Sequence, residues 1–333
     1  MRATLKGIVH NAGLLTFLAV FSASCWAGYS YQLFDVPGST QTQINAINDS
    51  GAFVGIYATS SGYSGFFFSN GVVETLRAPG SYLSFPYGIN ERGDIVGQQL
   101  IDNPAGGNWS RPFVRYANGT YATLPELAVA GITFMTASAI NNDGDIVGTF
   151  ISSEDKDGAG DGYLFRDGSY TIFPNVWPEN IRDDGLIVAT LSTYAGALLT
   201  NLSDLEEFWV QDQLTRITAN ALNRFGDVAG TIIDPNETGY VRHSDGTVEV
   251  ISVPGQTRTI VDGMNNLGTV AGTYIDVQSS SLRTRGYIAF SDNPRYTVPE
   301  PATAALLALG VLALYVVRSD KLRLCAAWYS RIN

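Results

Sequence analysis

The chain has 333 residues, with 35 glycines, 11% aromatic and only 15% charged residues; this composition suits many short strands joined by tight turns. Acidic residues outnumber basic ones by 31 to 20, which excludes the basic footprint of a nucleic-acid-binding domain. Two histidines and two cysteines are too few for a zinc site or a Cys-His nucleophile pair, since His10 and Cys25 lie in the first 27 residues and Cys325 near the other end.

Residues 1–27 read as a secretory signal. Arg2 and Lys6 supply the charged start, Leu14 to Phe21 a short apolar core, and Ala27 a small residue at the cleavage point. A lipoprotein reading through Cys25 lacks the apolar residue expected three positions earlier, where Ser22 stands.

Residues 28–293 read as one repeat domain. It opens on a strand, Tyr31 to Val36, that ends in Pro37-Gly38; Ala78-Pro79-Gly80 and Val253-Pro254-Gly255 close later strands in the same way. A pattern then recurs, most clearly at Ile140-Asn141-Asn142-Asp143-Gly144-Asp145-Ile146-Val147-Gly148, with other copies starting at Ile47, Ile89, Ile181, Leu222 and Met264. The turn glycines Gly51, Gly93, Gly144, Gly185, Gly226 and Gly268 are separated by 42, 51, 41, 41 and 42 residues. A fixed step of this size means an array of identical supersecondary units. Each copy is a β-hairpin whose glycine supplies positive φ and whose asparagine bonds its own turn.

A second hairpin follows in each unit, as at Asn70-Gly71, Asn118-Gly119, Asp167-Gly168 and Asp245-Gly246, after strands that begin with glycine and an aromatic residue. Each full repeat therefore has four strands; in the first these are about Gln43 to Asn48, Phe53 to Thr59, Gly65 to Ser69 and Val72 to Arg77. The last repeat stops near Phe290 and lacks the fourth strand that Tyr31 to Val36 would supply. The arithmetic predicts an all-β, six-bladed propeller of ~42-residue repeats closed by the N-terminal strand, with an open stack or a sandwich pair as the alternative. The fourth repeat departs most, with Arg182 for asparagine, Ala189 for the final glycine and an irregular Leu202 to Trp209.

Between residues 28 and 301 there are 30 acidic and 14 basic residues, a net of −16. Such a surface repels nucleic acid and anionic lipid, and suits divalent cations or neutral polysaccharide. The stretch from Glu154 to Gly162 offers Asp155, Asp157 and Asp161 as calcium ligands on a loop bent at Gly160; a solvated acidic loop is the other reading. Acids at repeat turns, among them Asp143, Asp145, Asp183, Asp184 and Asp227, read as structural. A Ser-His-Asp triad would have to use His243, and no P-loop or dinucleotide fingerprint is present. No catalytic residue is assigned and the chain is read as non-enzymatic; the rival is a carboxylate-based polysaccharide hydrolase or lyase.

The C-terminal region divides into a linker at 294–303 that carries Pro299-Glu300-Pro301, an apolar run at 304–317, and a basic tail at 318–333 with Arg318, Lys321 and Arg323. The run is short against the about 20 residues of a spanning helix, but it reads as a transmembrane helix with the tail held cytoplasmic. This order of parts resembles the PEP-CTERM sorting signal. The resemblance implies recognition by an exosortase in the inner membrane of a Gram-negative bacterium that makes exopolysaccharide. The repeat resembles the HAF family of extracellular repeats, through its apolar-Asn-x-x-Gly-x-apolar-Val-Gly core and the later Gly-aromatic strand. That resemblance implies an exported β-repeat protein and names no reaction. The expectation is an exported structural or binding protein of the cell surface or exopolysaccharide matrix, without nucleic-acid partners.

Overall fold

The computed structural model describes residues 28–102, 108–153, 160–200, 204–210, 215–233, 235–276 and 283–296. They form six four-stranded antiparallel sheets. The first strand of the described chain, β1 (Tyr29–Phe34), is set aside for closure. Blade 1 is β2 (Gln41–Ile47), β3 (Phe53–Thr59), β4 (Gly62–Ser69) and β5 (Val72–Leu76). Blade 2 is β6 (Leu83–Ile89), β7 (Ile95–Asp102), β8 (Asn108–Arg115) and β9 (Tyr121–Thr123). Blade 3 is β10 (Ile132–Ile140), β11 (Ile146–Ser152), β12 (Asp161–Arg166) and β13 (Ser169–Phe173). Blade 4 is β14 (Val176–Ile181), β15 (Ile187–Leu191), β16 (Gly196–Thr200) and β17 (Asp204–Phe208). Blade 5 is β18 (Ile217–Leu222), β19 (Val228–Ile232), β20 (Thr238–Arg242) and β21 (Val248–Ile251). Blade 6 has β22 (Thr259–Met264), β23 (Val270–Asp276) and β24 (Arg283–Ser291), and β1 pairs with the outer edge of β24 from Tyr29↔Ser291 to Phe34↔Gly286.

The expected closure is therefore present, and the molecule is an all-β, six-bladed propeller. The irregular fourth repeat still completes its sheet, through β17. Among the described residues no helix is long and apolar enough to cross a membrane; the expected helix at 304–317 lies outside them.

Burial explains the strand patterns. The second strands are sandwiched between neighbouring blades, so β15 and β19 are buried at every position and read as continuous apolar runs. The outermost strands are mostly exposed, as in β17. The core is divided among apolar clusters that straddle adjacent blades. Ala221, Val241 and Ile251 of blade 5 pack with Val261, Val270 and Tyr287 of blade 6. Phe34 of β1 packs on Phe53 and Phe66 of blade 1. Towards the axis the inner strands approach so closely that a side chain at Gly263 would lie 2.9 Å from the Cα of Ala46.

The hairpins between first and second strands, and between third and fourth, all emerge on one face, the turn face. The longer, more varied connections emerge on the opposite loop face.

Candidate functional site

Each inner strand carries a β-bulge at the same place in all six blades, and β10 has a second register shift between Ile132 and Phe134. The register slips at Asn45, Tyr87, Ser138, Glu179, Asn220 and Asp262. A bulge leaves its extra residue unpaired and re-aims the side chain. Here all six residues line the central channel, a cavity of about 760 Å³. All six are partly exposed, although most of their strand neighbours are buried. Asn45 donates to the carbonyl of Pro86 at 2.7 Å, and Asn220 to that of Val261 at 2.7 Å. The lumen is thus a ring of one hydroxyl, one phenol, two oriented amides and two carboxyls.

The carboxyls are the distinctive members. Glu179 and Asp262 are on blades 4 and 6, flanking Asn220 on blade 5, and Tyr87 on blade 2 faces them across the axis. Burial pushes Glu179 up to about 7, and the charge of Asp262 adds to the effect. Burial likewise pushes Asp262 up to about 7, with a contribution from Glu237. Asp262 Oδ2 has no hydrogen-bond partner among the described residues. Both groups are walled in by protein but keep partial exposure to the lumen, the environment in which a carboxyl titrates near neutrality. Trp177 and Thr149 line the same cavity.

The turn-face mouth is held by the repeat asparagines. Asn48 Nδ2 donates to the carbonyl of Asn90 at 3.1 Å, Asn90 to that of Asn141 at 3.1 Å, and Asn141 to that of Arg182 at 3.0 Å. Each Oδ1 meanwhile caps its own turn, as Asn141 does for the N–H groups of Asp143 and Asp145. One residue further on, side-chain oxygens of the next blade accept the backbone N–H groups of Asp49, Glu91 and Asn142, from Glu91, Asn142 and Asp183. Glu91 is pushed up to about 7, first by desolvation and then by Asp49 and Asp183.

Three of the turn acids have partners within the turn face. Asp145 pairs with Arg166 at 2.7 Å, Asp183 accepts from both nitrogens of Asn142, and Asp184 pairs with Arg182. Asp143 is exposed in its turn. His243 is placed just after β20 rather than within a strand; it is buried, 3.4 Å from both Asp227 and Glu249. Of the calcium candidates, Asp161 Oδ1 accepts the N–H of Asn175 at 3.0 Å. Asp155 and Asp157 lie outside the described residues, as do Ala27, Pro299, Glu300 and Pro301. Among the described residues no group of three or more His, Cys, Asp or Glu side chains is placed to hold a metal.

A second polar cluster lies under blades 5 and 6. After β24 the chain forms a 3₁₀ turn at Pro294–Tyr296. Tyr296 is buried, and its Oη donates to Asp227 Oδ2 at 2.7 Å, while Arg295 Nη1 meets Oδ1 at 3.1 Å. Asp227 is fully enclosed. Burial pushes its carboxyl up, but the bonds from Tyr296, the Ser244 N–H and Asn223, with Arg295 nearby, outweigh this and hold it below its usual value.

Comparison with known proteins bears on the C-terminal region of the chain. Residues 297–319 match the PEP-CTERM protein-sorting motif. No curated protein matches the chain. Among solved structures, virginiamycin B lyase from Staphylococcus aureus with quinupristin is 13% identical, covering 79% of this chain and 99% of its own, with a TM-score of 0.44. A structure described as a putative gluconolactonase is 11% identical over 80% and 93%, with a TM-score of 0.47. YCF48 from Cyanidioschyzon merolae is 8% identical over 78% and 98%, with a TM-score of 0.44. Likenesses this distant carry no argument about chemistry. The chain is a six-bladed propeller followed by a PEP-CTERM motif, and that motif implies a secreted protein sorted to the cell envelope by an exosortase.

Proposed function

We propose that the protein is an exported binding module of the cell surface or exopolysaccharide matrix of a Gram-negative bacterium, and that its ligand enters the central channel without being transformed. The observation that carries this reading is the bulge ring, which turns the axis of the propeller into a polar cavity rather than a packed core. Its amides and carboxyls suit sugar hydroxyls, and the rings of Tyr87 and Trp177 suit the apolar faces of sugar rings. Calcium at Asp155, Asp157 and Asp161 belongs to the same reading, because Gly160, next to Asp161, lines the channel.

A second reading rests on Glu179 and Asp262. Two carboxyls facing one cavity are the residue types that acid-base cleavage of a glycosidic bond uses, one as the protonated acid and the other as the ionised base or nucleophile. One experiment separates the two: the purified protein is assayed for binding to bacterial exopolysaccharides and for release of reducing ends, with and without calcium. Binding without release supports the module. Release abolished by Glu179→Gln or Asp262→Asn supports the enzyme instead.

A further inference from the structure

The 3₁₀ turn at Pro294–Tyr296 does more than end the domain. Tyr296 lies against the first hairpin turns of blades 5 and 6. Its ring meets Phe225 edge-on at 5.6 Å, and a side chain at Gly268 would come within 2.2 Å of it. Together with the bonds to Asp227, this seats residues 294–296 on the turn face. We infer that this seat fixes the side from which the sorting tail leaves, so that the turn face of the precursor faces the membrane and the loop face points away.

The inference rests on the sorting reading above and adds a geometry to it. From Tyr296 to Pro299 is three residues, so the motif lies within about 10 Å of the seat. From Tyr296 to Ala304, where the apolar run begins, is eight residues, or at most about 28 Å of chain. To invert the propeller, that tether would have to pass outward across the strands of a blade, about 10–14 Å at about 4.8 Å per strand, and then climb its side. A seven-residue strand such as β3 already rises about 23 Å, so the tether is too short. If the turn undocked, the free chain would start at Ser291 and lengthen to thirteen residues, about 45 Å, which relaxes the constraint. The sorting enzyme therefore meets its motif beside the hairpin turns of blades 5 and 6, and the varied loops remain accessible from outside.

The test uses the full-length precursor with Glu300→Ala to block processing and with Cys25→Ser and Cys325→Ser to remove both native thiols. One cysteine is introduced on either face: Ala117→Cys on the turn face or Ser60→Cys on the loop face, both exposed. Each is labelled with a fluorophore, and the protein is reconstituted in vesicles whose lipids carry a quencher. The expected result is stronger quenching of the label at position 117, with the asymmetry lost when Arg295→Ala and Tyr296→Ala are added. Equal quenching in the native latch, or stronger quenching at position 60, overturns the orientation. Failure of the precursor to float with vesicles overturns the sorting reading, and the orientation with it. Unchanged thermal unfolding of the single-cysteine variants controls for folding.

Discussion

Asn265 donates its Nδ2 to the carbonyl oxygen of Asn48 at 3.0 Å, joining the last inner strand to the first across 217 residues of sequence. This bond carries the asparagine ring over the closure point. The ring is interrupted at blade 4, where Arg182 turns to Asp184, and weakened at blade 5, where Asn223 faces the Met264 sulfur at 3.9 Å.

Replacing Asn265 by alanine strands the N–H groups of Leu267 and Thr269 and removes one of two donors to the Asn48 carbonyl, which keeps the N–H of Gly51. Buried groups left without partners cost about 1–3 kcal/mol, equivalent to a fall in Tm of roughly 2–12 °C for a domain of this size. Calorimetry of Asn265→Ala should show that fall; an unchanged Tm would mean that water replaces the bridge.

Phe34 should matter as much for closure as the strand pairing does. It meets Phe53 edge-on at 4.8 Å and stacks on Phe66 at 5.8 Å, tying β1 to blade 1. Phe34→Ala is expected to cost about 3–5 kcal/mol. Limited proteolysis should then cut first near β1, and cutting elsewhere would argue against the tie.

Glycine on the second strand makes room for an aromatic residue on the third. Gly230 is paired with Tyr240, whose Oη reaches the Thr218 carbonyl at 2.9 Å. A side chain at Gly230 would lie 1.9 Å from that same oxygen. Gly230→Ala should cost about 1–3 kcal/mol, read as a lower denaturation midpoint at unchanged slope. Blade 4 points the same way, because there Ala189 is paired with Ala197 and the aromatic ring is absent.

The channel carboxyls make stability depend on pH in an unusual direction. Glu179 and Asp262 hold their protons up to about 7, whereas in the unfolded chain they ionise near 4. Between those values the folded state binds more protons, so their contribution falls as pH rises from about 4 to 7 and then levels off. Glu179→Gln or Asp262→Asn should therefore raise Tm at pH 8 and leave it nearly unchanged at pH 4. Equal effects at both pH values would show that neither carboxyl is perturbed. Asp227 acts in the opposite sense: its lowered value makes its contribution present above about pH 4 and lost in more acidic solution.

Much of the fold is legible in the sequence because the repeat phase is. The hairpin turns count the blades, and the stranded segment at Tyr31 to Val36 matches the vacancy after Phe290. The asparagines are half legible. Their turn-capping Oδ1 is local, but the Nδ2 bond depends on where the neighbouring blade sits. Glu179 and Asp262 are not legible as a pair, because each is one acid among many until the ring brings the bulge positions to one axis. A signal does exist: both stand three residues before the repeat asparagine or its Arg182 substitute, in a column otherwise filled by Asn, Tyr and Ser. The Tyr296 seat has no signal, since it lies outside the repeat and its partner Asp227 looks like any other turn acid.

The pairing of β1 with β24 also sets an order of assembly. The first strand of the described chain is the last to be used, for its partner is Arg283–Ser291. Until that strand has emerged, blade 6 is two strands short, because β1 has only β24 to pair with, and an unpaired sheet edge invites association with other chains. Ring closure is therefore a late, long-range step, the kind that folds slowly. The Tyr296 turn follows within five residues of β24, so completion of the ring and arrival of the sorting tail are nearly one event.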